Sequence, residues 1–209
     1  MDEIKEFWES RSTANLLMII VNVLVFVILE MRGDTENVEF MLQSGASYAP
    51  YIVEEGKYYL LLTCMFLHFG IEHLIYNMLV LLFLGDILEK HVGKIRYLLI
   101  YLLGGIAGNC LSVFVDMQRQ EFYVSAGASG AGFAIIGAIF WLVIKNKGRL
   151  GDIPGQRLAV LIVLSVIEGF TSAGVDGYAH MGGLLAGFLL CALLTISMRR
   201  QTDADSCAL

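Results

Sequence analysis

Residues 127–145 read GASGAGFAIIGAIFWLVIK, a turn of small residues that continues into an apolar run ending at Lys145. The run is close to the roughly 20 residues that an apolar helix needs to cross a bilayer. Small residues at its start allow a neighbouring helix to approach closely. The pattern therefore predicts a membrane helix that carries one hydroxyl, that of Ser129, at its beginning.

The composition of the whole chain supports a membrane protein. Of the 209 residues, 57% are hydrophobic and 16% are charged, against about 45–50% and about 25% in soluble domains. The net charge of −6 and the lack of a basic aromatic patch give no support to nucleic-acid binding. The four cysteines have no CxxC spacing, so we interpret them as packed thiols.

Six apolar runs predict an all-α polytopic membrane protein with one membrane domain, residues 14–198, between two polar cytoplasmic tails, residues 1–13 and 199–209. The first run follows an acidic segment and lacks a small-residue cleavage site, so it is interpreted as a retained helix rather than a signal peptide. The predicted spans are Ala14–Met31, Ile71–Leu88, Ile95–Val115, Ser129–Ile144, Leu158–Ala173 and Tyr178–Met198.

The segment from Arg32 to Gly70 mixes acidic residues with apolar patches. It is too interrupted to span a bilayer and too apolar to lie free in water. We expect a first loop that is partly embedded in the membrane and contains short helices, with its backbone satisfied by protein or water.

The distribution of Lys and Arg predicts the orientation of the chain. Eleven of the 14 basic residues flank the spans on the side that holds both termini. By the positive-inside rule this side is cytoplasmic, so Ser129 and His180 begin the fourth and sixth spans from the outer side. The rise of a helix then places Ser129, His180 and His73 at similar depths below the outer surface.

The chemistry predicted for Ser129 depends on a base. A serine at a helix start is by itself usually a cap or a packing residue, but an ionisable side chain within a membrane is costly and usually functional. His180, in the sequence AHMGGLLAG, could accept the serine proton and return it to a leaving amine. The pair predicts a serine protease that acts within the membrane.

Acyl transfer also requires donors for the developing oxyanion. The backbone N–H of Ser129 is one candidate, and His73 and Asn77 are others, since positions i and i+4 share a helix face. Asp176 is expected to lie outside the sixth helix and Glu168 at a deeper level, so the sequence favours a Ser129–His180 dyad. His68 and His73, treated as two positions on one helix, point about 140° apart, and no metal site is predicted.

Together these residues resemble the rhomboid family of intramembrane serine proteases. The resemblance is carried, in order, by TCMFLHFGIEHLIYN at 63–77, LEKHVG at 88–93, GASG at 127–130 and AHMGGLLAG at 179–187. It implies a six-span helical bundle of the bacterial plasma-membrane type. It also implies that Ser129 is the nucleophile and His180 the base, with His73, Asn77 and the Ser129 backbone as the oxyanion hole. The residues implied as structural support are His68, Glu89, Gly127, Gly130, Gly183 and Gly187.

The resemblance further implies transmembrane protein substrates, cleaved near the outer face without a cofactor. Three positions depart from the family pattern. Tyr59-Leu60 stands where a Trp-Arg pair is common, Phe133 replaces a frequent tyrosine, and Tyr178 replaces a small residue. Phe133 is still expected to pack on the His180 ring.

The sequence leaves two alternatives to a protease. A non-catalytic adaptor on the same scaffold would bind transmembrane helices without cutting them, although the serine and histidine argue against it. A small transporter would carry ionisable residues along a path through the membrane, whereas here the polar residues cluster near one face.

Overall fold

The computed structural model describes residues 12–151, 153–172 and 174–198. It is helical through all six predicted spans except at three of their ends, namely Met31, Ser172 and residues 195–198. Residue 173 and most of the predicted tails, at 1–11 and 199–209, lie outside the described residues. The helices are α1 (Thr13–Glu30), α2 (Val38–Ser44), α3 (Ala49–Val53), α4 (Leu60–Thr63), α5 (Gly70–Val80), α6 (Asp86–Val92), α7 (Lys94–Arg119), α8 (Ser129–Lys145), α9 (Gly155–Thr171) and α10 (Gly177–Leu194). A 3₁₀ turn at Cys64–Phe66 follows α4, and two short antiparallel strands, β1 (Arg149–Leu150) and β2 (Ile153–Pro154), join α8 to α9.

Within the described residues, four helical stretches are long and apolar enough to cross a membrane: α1, the continuous stretch Gly70–Val92, α7 and α10. They coincide with four of the six predicted spans. The other two predicted spans coincide with α8 and α9, which have 17 residues each. The bundle is helical and apolar as predicted, while the count of six crossings depends on these two shorter helices.

The centre of the bundle is formed by α7, α8 and α10. Helix α8 is buried along most of its length, and its Ile135 and Ile139 are fully enclosed. By contrast, α9 buries only Leu158 and Gly169 among its described residues and exposes an apolar face that includes Val163 and Leu164. Helix α8 is thus the core of the fold, and α9 is a peripheral helix.

Glycines set the close packing of α7, as the GxxxG spacing of Gly104 and Gly108 predicts. A Cβ added to Gly104 would lie 2.4 Å from Cβ of Ala134 on α8. One added to Gly108 would lie 2.5 Å from the carbonyl oxygen of Ala179 on α10. Any larger side chain would separate α7 from both helices that carry the predicted dyad.

The first loop contains the expected short helices, α2 to α4. Leu60, one of the positions that depart from the family pattern, is 2% exposed and packs with Ala49 and Ile52 of α3 and Val113 of α7. Its neighbour Tyr59 is exposed. Here the loop is held against the bundle by an aliphatic side chain.

At the other end of the bundle, Glu89 supports the start of α1. Its carboxylate accepts the backbone N–H groups of Ala14 (3.1 Å) and Asn15 (2.6 Å), which have no partner within the helix. The Asn15 amide in turn donates to the carbonyl of Leu81 at 2.9 Å, where α5 continues into α6 through a π-helical segment, Leu81–Gly85. This arrangement fits the structural role that the resemblance implies for Glu89.

Candidate active site

Ser129 is the first residue of α8, and the turn before it depends on glycine. Gly127 has a φ of +139°, a conformation that residues with a Cβ rarely adopt. Its N–H donates to the carbonyl oxygen of Cys64 at 2.9 Å, which holds the turn against the end of the first loop. Ser129 itself is only partly buried, so its hydroxyl is accessible at the start of the helix.

His180 lies in the first turn of α10 and is 8% exposed. Its ring stacks on that of Phe133, with centroids 4.2 Å apart and planes 14° from parallel. The expected packing of Phe133 on the imidazole is therefore confirmed. His180 Nδ1 is buried, no described residue hydrogen-bonds to it, and it lies 3.2 Å from where a Cβ on Gly169 would be.

The helices that carry Ser129 and His180 meet through glycine. A Cβ on Gly183 would lie 2.1 Å from the carbonyl oxygen of Gly130, and one on Gly187 would lie 2.0 Å from that of Ala134. The small-residue stripe that the four-residue spacing of Gly183 and Gly187 predicts on α10 thus faces α8 directly, and the backbones of the two helices are in contact. Ser129 immediately precedes Gly130, and His180 lies three residues before Gly183, so this contact places both side chains at the same end of the helix pair.

Among the described residues, no hydrogen bond joins the Ser129 hydroxyl to the His180 ring. Catalytic hydrogen bonds are often longer without substrate than in the complex. The helix packing places the two groups at the same end of the α8–α10 pair.

His73, on α5, lies beside the serine. A Cβ on Gly127 would lie 2.8 Å from His73 Nε2 and 3.7 Å from Ser129 Oγ, so both groups border the same small space. Asn77 lies one turn further along α5, is 7% exposed, and donates one amide N–H to the carbonyl oxygen of His73 at 2.9 Å. An amide nitrogen carries two hydrogens, which leaves the second for another acceptor.

His68 lies before α5, not on it, because that helix begins at Gly70 and Leu67 is extended. The prediction that treated His68 and His73 as two positions on one helix is therefore wrong. Their rings lie edge to face with centroids 5.3 Å apart. The described residues contain no cluster of three or more His, Cys, Asp or Glu side chains that could hold a metal ion.

The fully buried His68 supports residues 127–129, which we call the serine turn. Burial, together with the nearby His73, lowers the pKa of His68 to about 3, so its ring is neutral at pH 7. Its Nε2 accepts the N–H of Ala128 over 3.4 Å, which identifies Nδ1 as the protonated nitrogen. A neutral histidine thus contacts the residue immediately before Ser129.

Asp176 is the residue whose role the sequence reasoning missed. It lies outside α10, as expected, but it is the N-cap: its Oδ1 accepts the N–H of Ala179 at 2.9 Å. Its Oδ2 accepts the hydroxyls of Ser112 at 2.6 Å and Ser125 at 2.9 Å. An aspartate just before an apolar helix is itself a cap signal, but the serine partners are 64 and 51 residues away and leave no mark in the local sequence.

Tyr178, another departure from the family pattern, lies in the first turn of α10, two residues before His180. Its ring packs edge to face with Phe170 of α9, at a centroid distance of 5.1 Å. The guanidinium of Arg119, at the end of α7, lies 5.1 Å from the centre of the same ring. Tyr178 therefore links three helices beside His180.

The candidate site combines a hydroxyl at the start of α8, a buried imidazole on α10 and a second histidine on α5, all within an apolar helical bundle. These features define a class: helical membrane proteins with a serine–histidine site. The rhomboid domain family matches residues 55–197. The chain is 36% identical over 188 residues to the rhomboid protease GluP of Bacillus subtilis, and this match covers 90% of the chain. It is 32% identical over 149 residues to YdcA of the same organism, and 41% identical over 159 residues to RHOMBOID-like protein 2 of Arabidopsis thaliana; these matches cover 71% and 74% of this chain. The chain belongs to the rhomboid family and is an integral membrane protein.

The relatives differ in length from this chain. The match spans 36% of GluP, 48% of RHOMBOID-like protein 2 and 73% of YdcA. The rhomboid domain match at residues 55–197 includes every residue of the candidate site.

Proposed function

We propose that this protein is an intramembrane serine endopeptidase that cleaves transmembrane segments of other proteins through a Ser129–His180 dyad. The observation that carries the proposal is the glycine contact between α8 and α10, at which the carbonyl oxygen of Gly130 lies against Gly183. It brings a partly accessible serine at a helix start and a buried histidine to one site. Membership of the rhomboid family supports the same reading.

In the proposed reaction, His180 accepts the proton of the Ser129 hydroxyl as Oγ attacks the scissile carbonyl carbon. The tetrahedral intermediate then collapses: the carbon–nitrogen bond breaks, and His180 returns the proton to the leaving amine. Water next attacks the acyl-enzyme, giving a proton to His180, which passes it to Ser129 Oγ as the ester bond breaks. The site needs no cofactor or metal for these steps.

The proposed oxyanion hole consists of the Ser129 backbone N–H, His73 and Asn77. The backbone N–H is at the start of α8, where such groups have no partner within the helix. His73 borders the same space as Ser129 Oγ. Asn77 retains one amide hydrogen, because only one is used by the carbonyl of His73. Removing a single such donor typically lowers kcat by about 10²–10³-fold.

The proposed topology has six membrane crossings, with α8 and α9 as the short fourth and fifth, and both termini in the cytoplasm of a bacterial cell. The bias of basic residues supports this orientation. It places the starts of α8 and α10, and therefore the site, towards the outer face. Substrates would be transmembrane helices presented from the bilayer.

The proposal is tested by cleavage of a transmembrane reporter in proteoliposomes containing the wild type, Ser129→Ala or His180→Ala. We expect cleavage by the wild type alone, with both variants retaining the wild-type helical content by circular dichroism. Cleavage by Ser129→Ala at the wild-type rate would refute the proposal. A folded wild type that binds transmembrane helices and cuts none would instead favour the adaptor.

A further inference from the structure

Asp176 connects three separate parts of the chain at the outer end of the site. Its carboxylate accepts one hydrogen bond from Ser112 on α7, one from Ser125 in the segment before the serine turn, and one from the Ala179 backbone in the first turn of α10. The Asp176 carbonyl also accepts the N–H of His180 at 3.1 Å. A single residue thus contacts the segment that leads to the nucleophile and the turn that carries the base.

The serine side of this connection is itself fixed. Ser125 lies four residues before Ser129, and its backbone pairs with Ser47 of the first loop through two hydrogen bonds of 2.8 and 2.9 Å. Its hydroxyl is therefore held in place when it donates to Asp176. Ser112 is 7% exposed on the helix that packs against both α8 and α10. The three donors fix Asp176 relative to the whole outer end of the bundle.

The carboxylate makes no hydrogen bond to the imidazole. No described residue hydrogen-bonds to the buried His180 Nδ1, the atom that a third triad member would hold. What Asp176 contacts is the backbone of Ala179, the hydroxyl of Ser125 and the backbone of His180. Its hydrogen bonds therefore affect the reaction through the positions of residues 125–129 and of the first turn of α10, whereas its charge acts on the His180 ring through space.

We propose that Asp176 is a positioning residue that sets the distance between Ser129 and His180 by joining Ser125 to the start of α10. This inference rests on the proposed function, because it concerns the geometry of that reaction. Displacements of about 1 Å in a reacting pair can lower rates by about 10²-fold. The hydrogen bonds of Asp176 to Ser125 and to the first turn of α10 therefore control reactivity without touching the substrate.

The substitutions Asp176→Asn and Asp176→Ala separate geometry from charge. The asparagine Oδ1 can still accept the Ala179 N–H, and its amide can donate to serine hydroxyls, which accept as well as donate. Alanine removes all three bonds. Ser125→Ala removes only the connection to the serine turn and leaves the cap of α10, while Ser112→Ala, the matched control, removes only the connection to α7.

The experiment measures the rate constant and the final extent of labelling of Ser129 by a fluorophosphonate probe in detergent micelles, alongside kcat and KM for the reporter. We expect Asp176→Ala to label about 10- to 100-fold more slowly but to the same extent, with kcat lowered by the same factor and KM within about twofold. Asp176→Asn should stay within about threefold of the wild type. Ser125→Ala should slow labelling about three- to tenfold, and more than Ser112→Ala does.

A purely structural role would lower the final extent of labelling, through loss of folded protein, and leave the rate constant of the remainder unchanged. That result, or a wild-type rate constant for Asp176→Ala, would overturn the inference. If Asp176→Ala does not fold, Ser125→Ala decides: a slower rate constant supports the inference and a wild-type one overturns it. Failure of the wild type to label would count against the proposed function instead, so the two ideas fail separately.

Discussion

Gly183 on α10 allows a test of the distance between α8 and α10, the two helices that carry the proposed dyad. A methyl group at this position would lie 2.1 Å from the carbonyl oxygen of Gly130 and 3.0 Å from its carbonyl carbon. Both are backbone atoms of α8, so no side-chain rotation can relieve the contact. The substitution Gly183→Ala must therefore move one helix relative to the other.

The size of the movement follows from that distance. Carbon atoms approach carbonyl oxygens to about 3.4 Å, so the helices must separate by about 1.3 Å near Gly183. His180 lies one turn away on α10 and Ser129 is adjacent to Gly130, so the separation is transmitted to the dyad. We expect Gly183→Ala to lower the rate constant of Ser129 labelling about 100-fold. Strain of this kind typically costs about 1–3 kcal/mol of stability.

The matched control is Gly132→Ala, on the same helix as Ser129. Its nearest neighbour would be a single methyl group, Val80 Cγ1, at 3.3 Å. A shift of a few tenths of an ångström in that side chain suffices, so the labelling rate should change by no more than about threefold. Labelling is measured in detergent micelles well below the melting temperature of each variant, which circular dichroism determines. A wild-type rate constant for folded Gly183→Ala would refute the argument that glycine contact sets the Ser129–His180 distance.

Two further substitutions test the support of the serine turn. In Gly127→Ala the new Cβ would lie 2.7 Å from Cε1 of His73, and the backbone φ of +139° would be strained. We therefore expect the rate of reporter cleavage to fall at least about tenfold with KM little changed. His68→Ala leaves the Ala128 N–H without an acceptor and should lower the free energy of unfolding by about 1–3 kcal/mol, whereas His68→Gln, which can accept, should recover part of it in denaturant titrations. Burial lowers the pKa of His68 in the folded protein to about 3, so the unfolded chain binds the proton more tightly between pH 6.5 and 3. The contribution of His68 to the free energy of unfolding is therefore complete above pH 6.5 and is lost as the pH falls. This pH dependence should disappear in His68→Gln. Equal stability of His68→Ala and the wild type at pH 7, or wild-type cleavage by Gly127→Ala, would contradict these assignments.

Patterns within one segment predicted most of the helices and their contact surfaces. Apolar runs located the helices, and the small-residue spacings of Gly104 with Gly108 and of Gly183 with Gly187 predicted which faces pack closely. These predictions succeed because hydrophobic burial and the absence of a Cβ are properties of residues spaced along one helix. Their outcome does not depend on which distant residue lies opposite.

Interactions between distant segments were not predictable in the same way. The amide of Asn15 reaches the Leu81 carbonyl across the bundle, where the helix changes to π-helical hydrogen bonding. The pairing of Ser47 with Ser125, and of Ser125 with Asp176, joins the first loop to the segment before α8 and to the start of α10. Each depends on a single hydrogen bond or pair of bonds between residues more than 50 positions apart, for which one sequence carries no periodic signal.

The site shows the same division. His180 was singled out because an ionisable side chain within a membrane helix is costly and usually functional. Ser129 was singled out because its hydroxyl begins another helix at a similar predicted depth, where such a base could activate it. The relative placement of His68 and His73 was predicted wrongly, because the prediction put both on one helix whereas α5 begins at Gly70, which has a φ of +73°. Backbone conformation at one glycine thus decided whether two histidines point apart or meet.

The most direct test of the central claim is the identity of the residue that reacts with a fluorophosphonate probe. After incubation of the purified wild type, intact mass spectrometry and peptide mapping should show one adduct per chain, on Ser129. Ser129→Ala should gain no adduct, and His180→Ala should form it at least about 10³-fold more slowly, because the hydroxyl then lacks its base. An adduct on another residue, or labelling of His180→Ala at the wild-type rate, would contradict the Ser129–His180 dyad.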